Sequence, residues 1–273
     1  VAAIPIFLLL NVAVKNSLGK IKVLLAEDNE VNKLLAKSIL QYWGFEFKIA
    51  HTGIEVLDML NAEDFDVILM DIQMPEKSGI EAAQDIRNLA NETKRNIPII
   101  ALTANALRGE ELKYKAAGMN EYLTKPFKEK ELYQVIERVL NKNARFGGRF
   151  ATEEEGTTAK PLYSMALVRE IAHGDEGFVK NLANIFITTI PDTARQMLQA
   201  CNDNQLEQAA KLAHKLKSTI DTMQVVLLKE DIRTIENNAK NGVPANSLVP
   251  LAQKTVAVLD EIALALREEF SIN

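Results

Sequence analysis

Short β-branched or aliphatic runs alternate with helix-period stripes from residue 20 to residue 141, and this alternation constrains the fold more than any other feature of the chain. The runs are Ile21–Ala26, Phe47–Ala50, Val67–Asp71, Ile97–Leu102 and Glu121–Thr124. Val31, Leu34, Leu35 and Ile39 form one intervening stripe, and Leu132, Val135, Ile136 and Val139 form another, at the spacing of a helix face. Short strands joined by helical crossovers pair in parallel, and parallel sheets are covered on both faces. The expectation is an α/β domain with a doubly wound five-stranded parallel sheet. Such a sheet carries its polar site at the carboxyl ends of its strands.

The rhythm stops at residues 142–162, KNARFGGRFATEEEGTTAKPL, where Gly147, Gly148, Gly156 and the acidic run Glu153–Glu155 replace the apolar periodicity. This composition reads as a surface linker. Residues 163–273 have almost no strand signal. Helices are expected at 164–172, 175–200, 204–220, 225–239 and 248–269, with Phe178, Leu182, Ile185 and Phe186 as one inward stripe and Val256, Leu259, Ile262 and Leu266 as another. Asn204 followed by Glu207 fits a capping box, and Pro191 argues for a kink or break in the second helix. Four of these helices can close into an antiparallel all-α bundle.

Residues 1–19 stand apart from both regions. Val1–Val14 is uncharged but too short for a bilayer span, and no basic residue precedes it as in a secretory signal. The segment reads as an upstream remnant or linker, with a packed strand or helix and a membrane-proximal piece as the alternatives. The formal charge of -5 argues against a nucleic-acid partner. Cys201 is the single cysteine, so neither an internal disulfide nor a thiolate metal cluster can form, and a reducing, cytoplasmic setting is the expectation.

Glu27 and Asp28 follow the first strand, and Asp71 ends the third. In a parallel sheet these three carboxylates converge at one edge, where they repel one another unless a cation intervenes. Oxygen-only donors favour a hard ion such as Mg²⁺, with Mn²⁺ as a substitute. Thr103 lies just past the fourth run and Lys125 just past the fifth. A hydroxyl and an ammonium beside a metal-carboxylate cluster are the parts that hold a phosphoryl group. Asp71 would be the nucleophile, Lys125 would neutralise phosphoryl charge, and Thr103 would donate a hydrogen bond to a phosphoryl oxygen. A dehalogenase-like phosphatase also uses a nucleophilic aspartate, but it needs an acid two residues later, where this chain has Gln73.

These residues carry a resemblance. Glu27–Asp28, Asp71 followed by Met74–Pro75 and Gly79, the segment Ala101–Ala104, and Lys125–Pro126 together resemble the receiver domain of bacterial two-component response regulators, over residues 20–141. The resemblance implies a flavodoxin-like fold and transfer of phosphate from a phosphohistidine to Asp71 with Mg²⁺ bound. It also implies a switch in which Thr103 and the strand-five aromatic, here Tyr122, shift together. A cis bond before Pro126 is a further expectation.

The remaining chemistry centres on a histidine. On the pattern DNQLEQAAKLAHKLKSTI, Leu206, Ala209, Ala213, Leu216 and Ile220 face inward, while Glu207, Lys211, His214, Ser218 and Asp221 form an outer row. His214 is therefore expected to face solvent, whereas His51 and His173 read as loop and turn residues. Residues 164–269 resemble a histidine-containing phosphotransfer (HPt) domain through AHKLKST. By that resemblance His214 accepts and donates the phosphoryl group and Lys217 stabilises it. Ser218 stands where that family most often has glycine and is small enough for a receiver to approach closely. Gln224 stands where many members have a glycine closing the hairpin, which puts that turn in question.

The bundle has no nucleotide-binding motif, so a kinase must lie elsewhere. The chain resembles the C-terminal part of a hybrid sensor histidine kinase. The expected partners are an upstream histidine kinase core and a downstream response regulator receiver, with membrane contact only through an upstream region. The expected function is a phosphorelay intermediate, Asp71 to His214 and onward. The alternatives are a phosphate sink draining through His214 to Asp71 and water, or a phosphorylation-controlled interaction module. A DNA-binding output is disfavoured, because 11 bases against 14 acids in residues 163–273 supply no basic recognition helix.

Overall fold

The structure is a computed structural model and describes residues 20–104, 110–141 and 162–272. Expectations for residues 1–19 and for the linker before residue 162 lie outside the described residues. The chain divides into two compact units at Thr152/Glu153.

The first unit holds a parallel sheet of β1 (Lys22–Ala26), β2 (Glu46–Ala50), β3 (Val67–Asp71), β4 (Ile99–Thr103) and β5 (Glu121–Thr124), in the order β2-β1-β3-β4-β5. This is the five-stranded parallel flavodoxin-like sheet expected. β3 and β4 are buried along their full length and β1 in all but its first residue, which is why they read as unbroken aliphatic runs. The edge strands are less covered: β5 alternates buried and half-buried residues, and β2 alternates exposed and half-buried residues up to the buried Ala50. β4 begins two residues later than expected. Pro98 cannot donate to a ladder, and Ile97 N–H closes a turn onto Lys94 O instead.

The crossovers are α1 (Glu30–Trp43), α2 (Gly53–Ala62), α3 (Gly79–Arg87), the short α4 (Glu92–Arg95), α5 (Glu110–Ala116) and α6 (Glu129–Leu140). Their starts are fixed locally. Asn29 Oδ1 caps α1 by accepting from the N–H of Val31 and Asn32, and Ser78 with Glu81 forms a capping box on α3. α6 buries Leu132, Val135, Ile136 and Val139, the stripe read from the sequence.

The second unit is all-helical: α7 (Ala166–Ala172), α8 (Glu176–Asn202), α9 (Leu206–Thr222), α10 (Lys229–Lys240) and α11 (Val249–Phe270). The four longer helices pack in a ring, each against its sequence neighbour and α11 against α8. Two expectations fail here. Pro191 does not interrupt α8, which runs unbroken through it. Pro191 is itself buried, on a stretch where Ile187, Ile190 and Ala194 are buried too. Asn204 and Glu207 do not form a capping box. Asn204 takes φ 56°, its N–H reaches Cys201 O and that of Gln205 reaches Ala200 O, so Asn204 closes α8 in a Schellman turn instead of opening α9. α10 also starts later than expected, after a 3₁₀ turn at Val226–Leu228. Gln224 adopts φ 51°, the conformation that glycine would supply without strain.

Candidate functional site

β1 and β3 are neighbours in register, with Ala26 opposite Met70, so residues just past β1 face the end of β3. Glu27, Asp28 and Asp71 each offer a carboxylate oxygen within 4.8 Å of the others. Lys125 reaches in from the end of β5, its Nζ 2.8 Å from Asp71 Oδ2 and 2.9 Å from Glu27 Oε2. All three of these side chains are buried. Burial pushes the Glu27 carboxyl up, the Asp71 charge pushes it further, and Lys125 and Asn32 oppose them; the result is about 8. Burial alone would lower the Lys125 ammonium, but the charges and hydrogen bonds of Asp71 and Glu27 outweigh it and raise it. One ammonium therefore faces two buried carboxylates and a third acid beside them. A hard cation fits this donor set and its excess of negative charge.

The backbone after β3 is fixed tightly. Gln73 N–H approaches Asp71 Oδ1 at 3.3 Å, and Gly79 N–H donates to Ile72 O. A Cβ at Gly79 would lie 2.0 Å from Asp71 O, so only glycine lets α3 begin this close to the strand end. The Lys125–Pro126 bond is cis.

Thr103 is buried at the end of β4, with its Oγ1 2.9 Å from the Tyr114 hydroxyl. Tyr122 is half-buried on β5, and its ring stands 6.2 Å from that of Tyr114. The sequence reading missed Tyr114. Its signal is a single tyrosine among the polar residues of α5, and nothing local reveals that the phenol turns inward.

In the second unit His214 is half-buried, less open to solvent than the expected outer row implies. Its side chain is 15% exposed, and Ser218 and Asp221 below it are buried, because α10 covers this side of α9. His214 Nδ1 lies 2.8 Å from Glu236 Oε1, Lys217 Nζ lies 2.5 Å from Glu236 Oε2, and Lys240 Nζ lies 2.6 Å from Glu236 Oε1. One turn further along, Arg233 donates to both oxygens of Asp221. Burial alone would raise the Glu236 carboxyl, but the hydrogen bonds and charges of His214 and Lys217 hold it below the usual carboxylate range. An ionised carboxylate only accepts, so Nδ1 supplies the proton of this contact, and in the singly protonated ring Nε2 keeps its lone pair. Glu236 is the second residue missed from sequence, being one of several acids on a polar helix.

His51 is an exposed loop residue and His173 ends α7 in a turn at φ 50°, both as expected. No helix among the described residues is long and apolar enough to cross a membrane.

Comparison with known proteins agrees with both halves. The family model for the response regulator receiver domain matches residues 23–137, and that for the Hpt domain matches residues 181–269. The polar-differentiation response regulator DivK of Brucella ovis is 36% identical over 118 residues, covering 43% of this chain and 94% of DivK. The signal transduction histidine-protein kinase BarA of Shigella flexneri is 26% identical over 253 residues, 92% of this chain. The chain spans 27% of BarA's length. Among solved structures, the receiver domain of the sensor histidine kinase PA1611 from Pseudomonas aeruginosa PAO1, crystallised with a magnesium ion coordinated in its active-site cleft, is 39% identical. That match covers 45% of this chain and 99% of the receiver, with a TM-score of 0.42. The chain belongs to the response regulator receiver family and carries an Hpt domain behind its receiver, the combination found in hybrid sensor histidine kinases of two-component phosphorelays.

Proposed function

We propose that Asp71 accepts a phosphoryl group from the phosphohistidine of an upstream kinase core, and that His214 carries it onward to the aspartate of a downstream response regulator receiver. The observation that carries this reading is the Lys125 ammonium bound to both Asp71 and Glu27, with Asp28 completing a set of three carboxylates. In the first step a carboxylate oxygen of Asp71 forms the P–O bond as the donor's P–N bond breaks, and the departing imidazole nitrogen keeps the electron pair and takes up a proton. Glu27, Asp28 and Asp71 would hold Mg²⁺, or Mn²⁺ in its place, which supplies positive charge against the phosphoryl oxygens. Lys125 adds a second fixed positive charge, and Thr103 offers a hydroxyl to one oxygen. In the second step Nε2 of His214 forms a P–N bond as the P–O bond to Asp71 breaks and Asp71 leaves as its carboxylate; the Nδ1–Glu236 hydrogen bond leaves the Nε2 lone pair free for the attack. Lys217 lies beside the same carboxylate and can exchange it for the new phosphate.

Acetyl phosphate with Mg²⁺ is expected to label the wild-type chain with a base-labile acyl phosphate. Asp71→Asn is expected to remove that label, and chelation of the metal to prevent it. Equal labelling of the variant would overturn the assignment of Asp71.

A further inference from the structure

Thr103 is expected to donate to a phosphoryl oxygen, yet its hydroxyl is already engaged. Its Oγ1 lies 2.9 Å from the Tyr114 hydroxyl, and the Tyr114 phenol donates to Glu110 Oε2 at 3.3 Å. A phenol and an alcohol each carry one proton, and an ionised carboxylate only accepts. With the phenol proton on Glu110, the proton between the two hydroxyls comes from Thr103. Tyr114 is 2% exposed, so water cannot readily replace it as the acceptor. The same ring lies against Tyr122, with the two planes tilted by 50°. Tyr114 thus touches both residues assigned to the switch.

We propose that Tyr114 is a positioning residue for the phosphoryl step: it holds the Thr103 hydroxyl in the unphosphorylated receiver, and phosphorylation of Asp71 must break or reverse that hydrogen bond. This rests on reading Asp71 as the phosphoacceptor and Thr103 as the hydrogen-bond donor to its phosphoryl group. Removing the phenol oxygen leaves the buried Thr103 hydroxyl without this partner in the resting state. In the phosphorylated state the donor has its new acceptor, so the resting state loses more and the equilibrium shifts toward the phosphoryl-bound arrangement.

The test uses beryllofluoride as the phosphoryl mimic in the full chain, read by fluorine NMR, with Mg²⁺ affinity measured separately by calorimetry. Tyr114→Phe is expected to bind beryllofluoride about five- to tenfold tighter, the size of one neutral hydrogen bond. Mg²⁺ affinity should not change, because Glu27, Asp28 and Asp71 are untouched. In a Thr103→Val background, Tyr114→Phe should have no effect on beryllofluoride. Unchanged or weaker binding by Tyr114→Phe overturns the proposal, as does an equal effect with and without the Thr103 hydroxyl. If the wild-type chain binds both Mg²⁺ and beryllofluoride, either result removes the role of Tyr114 alone. A wild-type chain that binds neither removes the Asp71 reading and this proposal with it.

Discussion

Buried charge is compensated in groups in both units, and the grouping determines what each residue is worth. Glu236 is the anion that three cationic or proton-donating side chains share. Glu236→Ala would leave Lys217 buried without its counter-charge, and is expected to destabilise the bundle by about 3 kcal/mol in chemical denaturation. Glu236→Gln should show the pH dependence of the charge itself. The folded carboxyl titrates below its ordinary value of 4.5, so its stabilisation is present above that value and is lost as pH falls toward the folded one. The stability gap between wild type and Glu236→Gln should therefore be widest near neutrality and close progressively below pH 4.5. A gap that stays constant on acidification would show that the carboxylate charge is not the source. The sequence made Asp71, Glu27, Asp28, Thr103 and Lys125 legible because each stands at or just past a strand end, and a parallel sheet brings those ends together. Glu236 and Tyr114 were not legible for a related reason. Their partners are fixed by which helix covers which face, and a polar helix surface does not encode that locally.

The position of Asp71 depends on elements that come very close to one another. α3 starts so near β3 that a Cβ at Gly79 would overlap the Asp71 carbonyl. Gly79→Ala is expected to cost about 1–3 kcal/mol of receiver stability and to weaken Mg²⁺ binding, because the strain falls on the residue that carries the ligand oxygen. Full Mg²⁺ affinity in a folded Gly79→Ala protein would show that the strand end absorbs the strain without moving the carboxylate. At this scale the periodic segments were readable, but the helix faces only in part: the α6 stripe is buried as read, whereas Phe178, Ile185 and Val256 are half-buried and Ser218 and Asp221 of the expected outer row are buried. Other failures lie at the ends. Asn204 looked like the start of α9 but ends α8, since asparagine serves both as an N-cap and as a left-handed closing residue. Pro191 looked like a break, but α8 runs through it with the proline buried.

At the scale of the whole molecule, the chain joins an aspartate site and a histidine site of opposite design. The receiver gathers three carboxylates, two of them buried, around one ammonium, and the bundle surrounds one carboxylate with lysines beside an imidazole. The division into an α/β part and a helical part could be read from the change in periodicity alone. The direction of chemistry between the parts could not, since it depends on the relative free energies of an acyl phosphate and a phosphohistidine. The most direct measurement is a time course of phosphorylation by acetyl phosphate and Mg²⁺, with base-stable phosphohistidine and base-labile acyl phosphate followed separately in wild type, Asp71→Asn and His214→Gln. A relay through this chain predicts base-stable label on His214 in the wild type, none in Asp71→Asn, and accumulated acyl phosphate in His214→Gln. Base-stable label at the wild-type rate in Asp71→Asn, or none in the wild type while Asp71 is labelled, would contradict it.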